Sequence, residues 1–163
     1  MLIEVPTTVP GFKPDPDALY QAVTEKTKAL MINTPNNPTG VIYTEDDIKA
    51  VANVLEKKQK EYGHAIYIIS DEPYRELVYD DDMEVPFIPD YYDNTIVGYS
   101  FSKTLSLPGE RLGYLVVPDE VDDYQNMFDG LITATRISGF VNAPSLVQLA
   151  AARCLDEKAD IAF

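Results

Sequence analysis

Apolar residues along this chain fall into short unbroken runs, separated by stretches in which they recur every three or four positions. Ala29, Leu30, Met31 and Ile32 form one run, closed by Asn33, Thr34 and Pro35. Ala65, Ile66, Tyr67, Ile68 and Ile69 form a second, Thr95, Ile96, Val97, Gly98 and Tyr99 a third, and residues 112–117 a fourth. Continuous runs of this length predict strands buried on both faces. The opening residues Leu2, Ile3, Glu4 and Val5 predict one more strand.

Helical signals lie between the runs. Asp15 is placed as an N-cap with Pro16 at the first helical position, and Leu19, Ala22 and Val23 supply a short apolar stripe. Thr44 and Asp47 have the spacing of a capping box, and Ile48, Val51, Ala52 and Leu55 repeat at helical spacing until Gly63. Two further helical patterns cover residues 127–137 and the stretch opened by Ala143, Pro144 and Ser145. Residues 77–93, with Asp80, Asp81, Asp82, Pro86 and Pro89, predict an irregular surface excursion that touches substrate or partner. Strands alternating with helices predict an α/β fold of three α/β/α layers around a mostly parallel sheet. The linker between Lys103 and Arg111 is too short for a helical crossover, so the last strand is expected to run antiparallel.

At 163 residues the chain has the size of one domain. Twenty-seven acidic against 13 basic residues give a formal charge of -14, which disfavours nucleic acid and anionic lipid as partners. Lys57, Lys58 and Lys60 lie among acidic residues and read as a solvated helix face rather than a basic patch. The single Cys154 excludes an internal disulfide and reads as a buried structural thiol. The single His64 follows Gly63 and reads as a surface or capping residue; one histidine and one cysteine do not make a zinc site. No run spans a membrane and no secretory signal opens the chain, which sets a cytoplasmic expectation. Both ends are expected to be internal to a longer protein.

The candidate chemistry lies just after three of the strands. Ser100, Phe101, Ser102 and Lys103 are followed by Arg111 eight positions after the lysine. An amine that can condense with an aldehyde, hydroxyls and a guanidinium fork together suit an anionic aldehyde cofactor. Residues 33–40, reading Asn-Thr-Pro-Asn-Asn-Pro-Thr-Gly, and residues 70–74, reading Ser-Asp-Glu-Pro-Tyr, also close apolar strands. Ligands of open α/β sheets sit at such carboxyl ends. Each segment alone reads as a turn, a solvated strand end or an exposed lysine; their conjunction carries the assignment. Ser102 and Thr104 either contact phosphate or shape the turn, and Tyr79 and Tyr99 read as packing residues.

In this order and at about these intervals, the segments resemble fold-type I pyridoxal 5'-phosphate-dependent aminotransferases of the aspartate aminotransferase class, over nearly the whole chain. The resemblance implies that residues 1–163 are part of a pyridoxal-phosphate-binding large domain, with an N-terminal segment and a C-terminal small domain outside them. It implies that Lys103 condenses with the cofactor aldehyde and that Asp71 pairs with the pyridine nitrogen. Asn37 and Tyr74 would hydrogen-bond the ring phenolate oxygen, and Ser100 and Arg111 would bind the phosphate. The implied reaction moves an amino group between an amino acid and a 2-oxo acid, at a homodimer interface, and is not expected of this chain alone. The same residues also serve pyridoxal-phosphate-dependent C–S β-lyases and aminocyclopropanecarboxylate-synthase-like enzymes. A non-enzymatic, aminotransferase-like sensor domain is a further reading.

Overall fold

The computed structural model describes residues 1–80 and 82–155; Asp81, the middle of the aspartate run, and residues 156–163 lie outside it. Helix α1 (Pro16–Ala22) starts where Asp15 accepts hydrogen bonds from the amides of Asp17 and Ala18, at 3.0 and 3.1 Å. Helix α2 (Glu45–Tyr62) begins with the reciprocal capping box of Thr44 and Asp47. It ends at Gly63, whose φ of 71° is the left-handed conformation that glycine adopts without steric cost. Both boundaries are those that the capping residues predict.

Four strands make one sheet in the order β1 (Ala29–Asn33), β2 (Tyr67–Asp71), β3 (Thr95–Ser100), β4 (Gly113–Val116). The first three are parallel and β4 is antiparallel to β3, as the short linker requires. Between β3 and β4 lie the one-turn helix α3 (Phe101–Thr104) and a 3-10 turn over Pro108–Glu110. Helices α4 (Tyr124–Ile137) and α5 (Ser145–Arg153) follow.

The core lies on one face of the sheet. Ile66 and Ile68 pack there with Ile48, Val51, Ala52 and Leu55 of α2. The described residues between β2 and β3, within 72–94, contain no α-helix, yet Ile88 and Tyr92 from this crossover enter the same core. The Tyr92 hydroxyl donates to the carbonyl of Ile66. Because side chains alternate along a strand, Tyr67 and Asp71 point to the other face. Tyr67 there shares a cavity of about 260 Å³ with Met127 and Leu131 of α4. Helix α2 therefore covers one face and α4 stands over part of the other, beside β2 to β4, leaving β1 open on that side.

Several expectations are corrected. Residues 2–5 form no strand: no described strand runs beside them to take up their backbone hydrogen bonds, and Leu2 and Ile3 are exposed. Strands β1 and β4 are not buried on both faces: α2 covers only one face of β1, leaving Met31 68% exposed on the other, and Tyr114 and Leu115 of β4 are both exposed. The second apolar run pairs from Tyr67 to Asp71 rather than from Ala65, because the Ile66 amide is taken by the Gln59 side chain at 2.8 Å. Lys58 is not solvated but 6% exposed. Its ammonium sits 3.9 Å from the Tyr20 ring centre and donates to Tyr62 and Glu61, so the helix buries the stem while satisfying the charge. Cys154 is half-buried. His64 follows the Gly63 cap of α2 without capping it: its ring nitrogens lie 2.9 and 2.8 Å from the carbonyls of Ala65 and Glu25, neither of them in that helix.

Gly113 sets the approach of β4 to β3. A Cβ there would lie 2.4 Å from the Tyr99 carbonyl oxygen, a backbone atom that cannot step aside. Gly113→Ala is expected to destabilise the fold by about 1–3 kcal/mol, as overpacking does. Gly109→Ala, where a Cβ meets nothing within 4 Å, is expected to change stability by no more than about 0.5 kcal/mol. Denaturant midpoints of the two variants check the contrast.

Candidate active site

The parallel register aligns the strand ends. Asn33 stands opposite Asp71, and Asp71 opposite Gly98, two residues before Ser100. The Asn33 side chain donates to the Asp71 carbonyl at 2.8 Å and to its carboxylate at 3.4 Å, while its oxygen accepts from the Asn37 amide at 2.8 Å. Asn36 accepts from the Thr39 amide and hydroxyl, buried Thr34 accepts from the Tyr43 amide, and Gly40 turns at a φ of 71°. The Thr34–Pro35 and Asn37–Pro38 peptides are cis. This internally bonded loop brings the side-chain Nδ2 of Asn37 to donate to the Tyr74 hydroxyl, at 3.0 Å.

Tyr74 lies in the turn spanned by a buried ion pair of Glu72 and Arg75. Glu72, 1% exposed, accepts from Ser70 at 2.8 Å and from Arg75 at 2.7 Å, and its amide donates to the Gly98 carbonyl. Arg75 also donates to the carbonyls of Val85 and Pro86 in the crossover. With every polar atom partnered, this carboxylate can be buried, and its inward turn leaves neighbouring Asp71 facing out. The sequence pattern alone does not single out this pair. Its signal was an acid and an arginine three positions apart beside the candidate aspartate.

Lys103 lies in α3, its Nζ 5.5 Å from the centre of the Tyr74 ring, and no carboxylate of the described residues comes within 4 Å of it. Ser100 caps the same turn, accepting from the Ser102 amide at 3.1 Å and donating to its hydroxyl at 2.8 Å. Ser102 thus shapes the turn together with Ser100. Asp71 and Ser100 line an open cleft of about 540 Å³ with Gly98, Tyr114, Phe128 and Thr135. Partial burial raises the Asp71 carboxyl above its ordinary value. Arg111, in the left-handed conformation at a φ of 53°, turns its guanidinium onto the Pro108 carbonyl at 2.9 Å. The structure therefore brings Asn37, Tyr74 and Lys103 together and sets Asp71 and Ser100 in one cleft. Arg111 stands two residues before Gly113, the partner of Ser100, but bonds its own turn.

This donor set fits a flat heterocyclic aldehyde. It offers an amine free of carboxylates, a carboxylate raised by burial with no cation beside it among the described residues, and two polar groups already bonded to each other at the same rim.

Residues 2–162 match the family model for aminotransferase class I and II, and the chain belongs to that family. An aminotransferase structure from Eubacterium rectale superposes with a TM-score of 0.93 at 49% identity, over 97% of this chain and 39% of that one. The aspartate aminotransferase of Pyrococcus horikoshii is 36% identical over 147 residues, 89% of this chain and 34% of its own length. A probable aspartate/prephenate aminotransferase of Thermus aquaticus is 38% identical over 73% of this chain and 30% of its own. The chain thus spans about a third of the length of these relatives.

The raised Asp71 carboxyl has a consequence for stability. A carboxyl harder to ionise folded than unfolded weakens the fold as pH rises through and above its ordinary value of 3.8. Asp71→Asn is therefore expected to raise the thermal midpoint of the cofactor-free chain at neutral pH. The gain should shrink to nothing as pH falls below the carboxylate range, which melting curves across pH check.

Proposed function

We propose that the protein carrying this chain is a pyridoxal-phosphate-dependent aminotransferase, moving an amino group between an amino acid and a 2-oxo acid. The observation that carries the reading is the meeting of Asn37, Tyr74 and Lys103 beside Asp71 and Ser100, at the carboxyl ends of parallel strands. Pyridoxal phosphate supplies an aldehyde for amine capture and a ring that takes up electrons released at the substrate Cα.

The chain's own residues divide the remaining work. Lys103 would anchor the cofactor and, once displaced by an incoming amino acid, its free amine would remove the substrate Cα proton and return it to the cofactor's former aldehyde carbon. Asp71 holds a proton on the pyridine nitrogen, which keeps the ring electron-poor. Asn37 and Tyr74 donate to the phenolate oxygen. Ser100 and Arg111 hold the phosphate, for which Arg111 exchanges its Pro108 contact for a bidentate one.

Within this reading residues 1–163 are part of the large, cofactor-binding domain of a longer, homodimeric, cytoplasmic enzyme. No described helix is long and apolar enough to cross a membrane. Donors of the aspartate and aromatic classes are supported by the relatives' names, aspartate aminotransferase and aromatic-amino-acid aminotransferase.

Borohydride treatment after incubation with pyridoxal phosphate is expected to fix the cofactor on Lys103, read by peptide mass mapping. Lys103→Ala should abolish that label. Label confined to other lysines would overturn the assignment.

A further inference from the structure

Helix α3 is a single turn of four residues, too short to hold its own geometry in water, yet it sets where Lys103 points. Its start is fixed by the Ser100 cap and by the Phe101 amide, which donates to the Leu112 carbonyl at 3.1 Å. Its end is fixed by a side-chain bridge. Thr104 donates to Glu76 at 3.0 Å, and because a hydroxyl has one proton, the short contact between Tyr99 and Thr104 has Tyr99 as donor. Tyr99 is a firm anchor, stacked on Tyr114 with ring centres 5.0 Å apart and edge-on to Phe101 at 5.4 Å. Burial raises its phenol to about 12, in keeping with a permanent donor.

The other end of the bridge returns to the site. Glu76 lies in the turn closed by the Leu77 amide on the Tyr74 carbonyl, at 2.9 Å. The bridge therefore joins the residue after Lys103 to the turn that carries Tyr74. Glu76 does not itself pair with Lys103, as no carboxylate of the described residues lies within 4 Å of that amine. It acts through Thr104.

We infer that Glu76 is a positioning residue which, through the hydroxyl of Thr104, holds the Lys103 amine over Tyr74 in the orientation needed for cofactor capture. The inference rests on the reading of Lys103 given above. Tyr99, expected from the sequence to be packing alone, is the bridge's foot on the sheet, and Thr104 shapes the turn by reaching Glu76.

The test measures how fast the complete chain captures pyridoxal phosphate on Lys103, by borohydride quenching at set times, beside melting temperatures without cofactor. Glu76→Ala and Thr104→Val are each expected to slow capture about tenfold, the effect of one lost hydrogen bond. Glu76→Gln and Thr104→Ser, which keep an acceptor and a hydroxyl, should stay within about twofold of the parent. The double variant Glu76→Ala with Thr104→Val should be no slower than Thr104→Val alone, since that change already removes the bond to Glu76. Parental rates in Glu76→Ala, additive losses, or slowing that merely follows a fall in melting temperature would overturn the inference. A parent chain that takes no label on Lys103 would instead overturn the reading beneath it.

Discussion

The register of three parallel strands is the constraint on which the site depends. Pairing Asn33 with Asp71 and Asp71 with Gly98 brings the three strand ends within two residues of one level, so that the loops after them converge. A slip of one residue in β2 would turn Asp71 toward the core and Ser70 toward the cleft, because side chains alternate faces. What prevents the slip is hydrophobic. Ile66 and Ile68 must meet α2, and buried Glu72 must meet Ser70 and Arg75 on that same side.

Glu72 and Asp71 show how neighbouring carboxylates acquire opposite tasks. One is sealed behind the sheet with every oxygen partnered; the other stands at the cleft with only a long contact from Asn33. Removing a partner from the buried acid would strand a charge. The outward acid instead keeps its negative charge available at a modest cost in stability, a common feature of functional positions.

Much of this was legible in the residues. Asp15, Thr44, Asp47 and Gly63 mark helix boundaries through local hydrogen bonds and backbone freedom, and the structure obeys each of them. The antiparallel turn of β4 followed from linker length alone. Local patterns could not say which partners would be present. Residues 2–5 have a strand's composition without a neighbour to pair with, and Met31 belongs to a buried-looking run but sits on an uncovered face. The charge cluster at Lys57, Lys58 and Lys60 hid one lysine that α1 and its Tyr20 enclose. Among the site residues, Asn37, Tyr74 and Lys103 converge, whereas the bridge from Tyr99 to Glu76 joins positions too far apart in sequence for any spacing rule to suggest.

The four-stranded sheet begins at β1 and finishes at β4, so among the described strands each of these has one flank free of a ladder partner. Met31 and Leu115, at 68% and 52% exposure, put apolar side chains on those same two strands. Free amides beside greasy side chains are templates for strand addition. Isolated at high concentration, the chain would tend to stack into ribbons, and low protein concentration during purification would be the practical remedy.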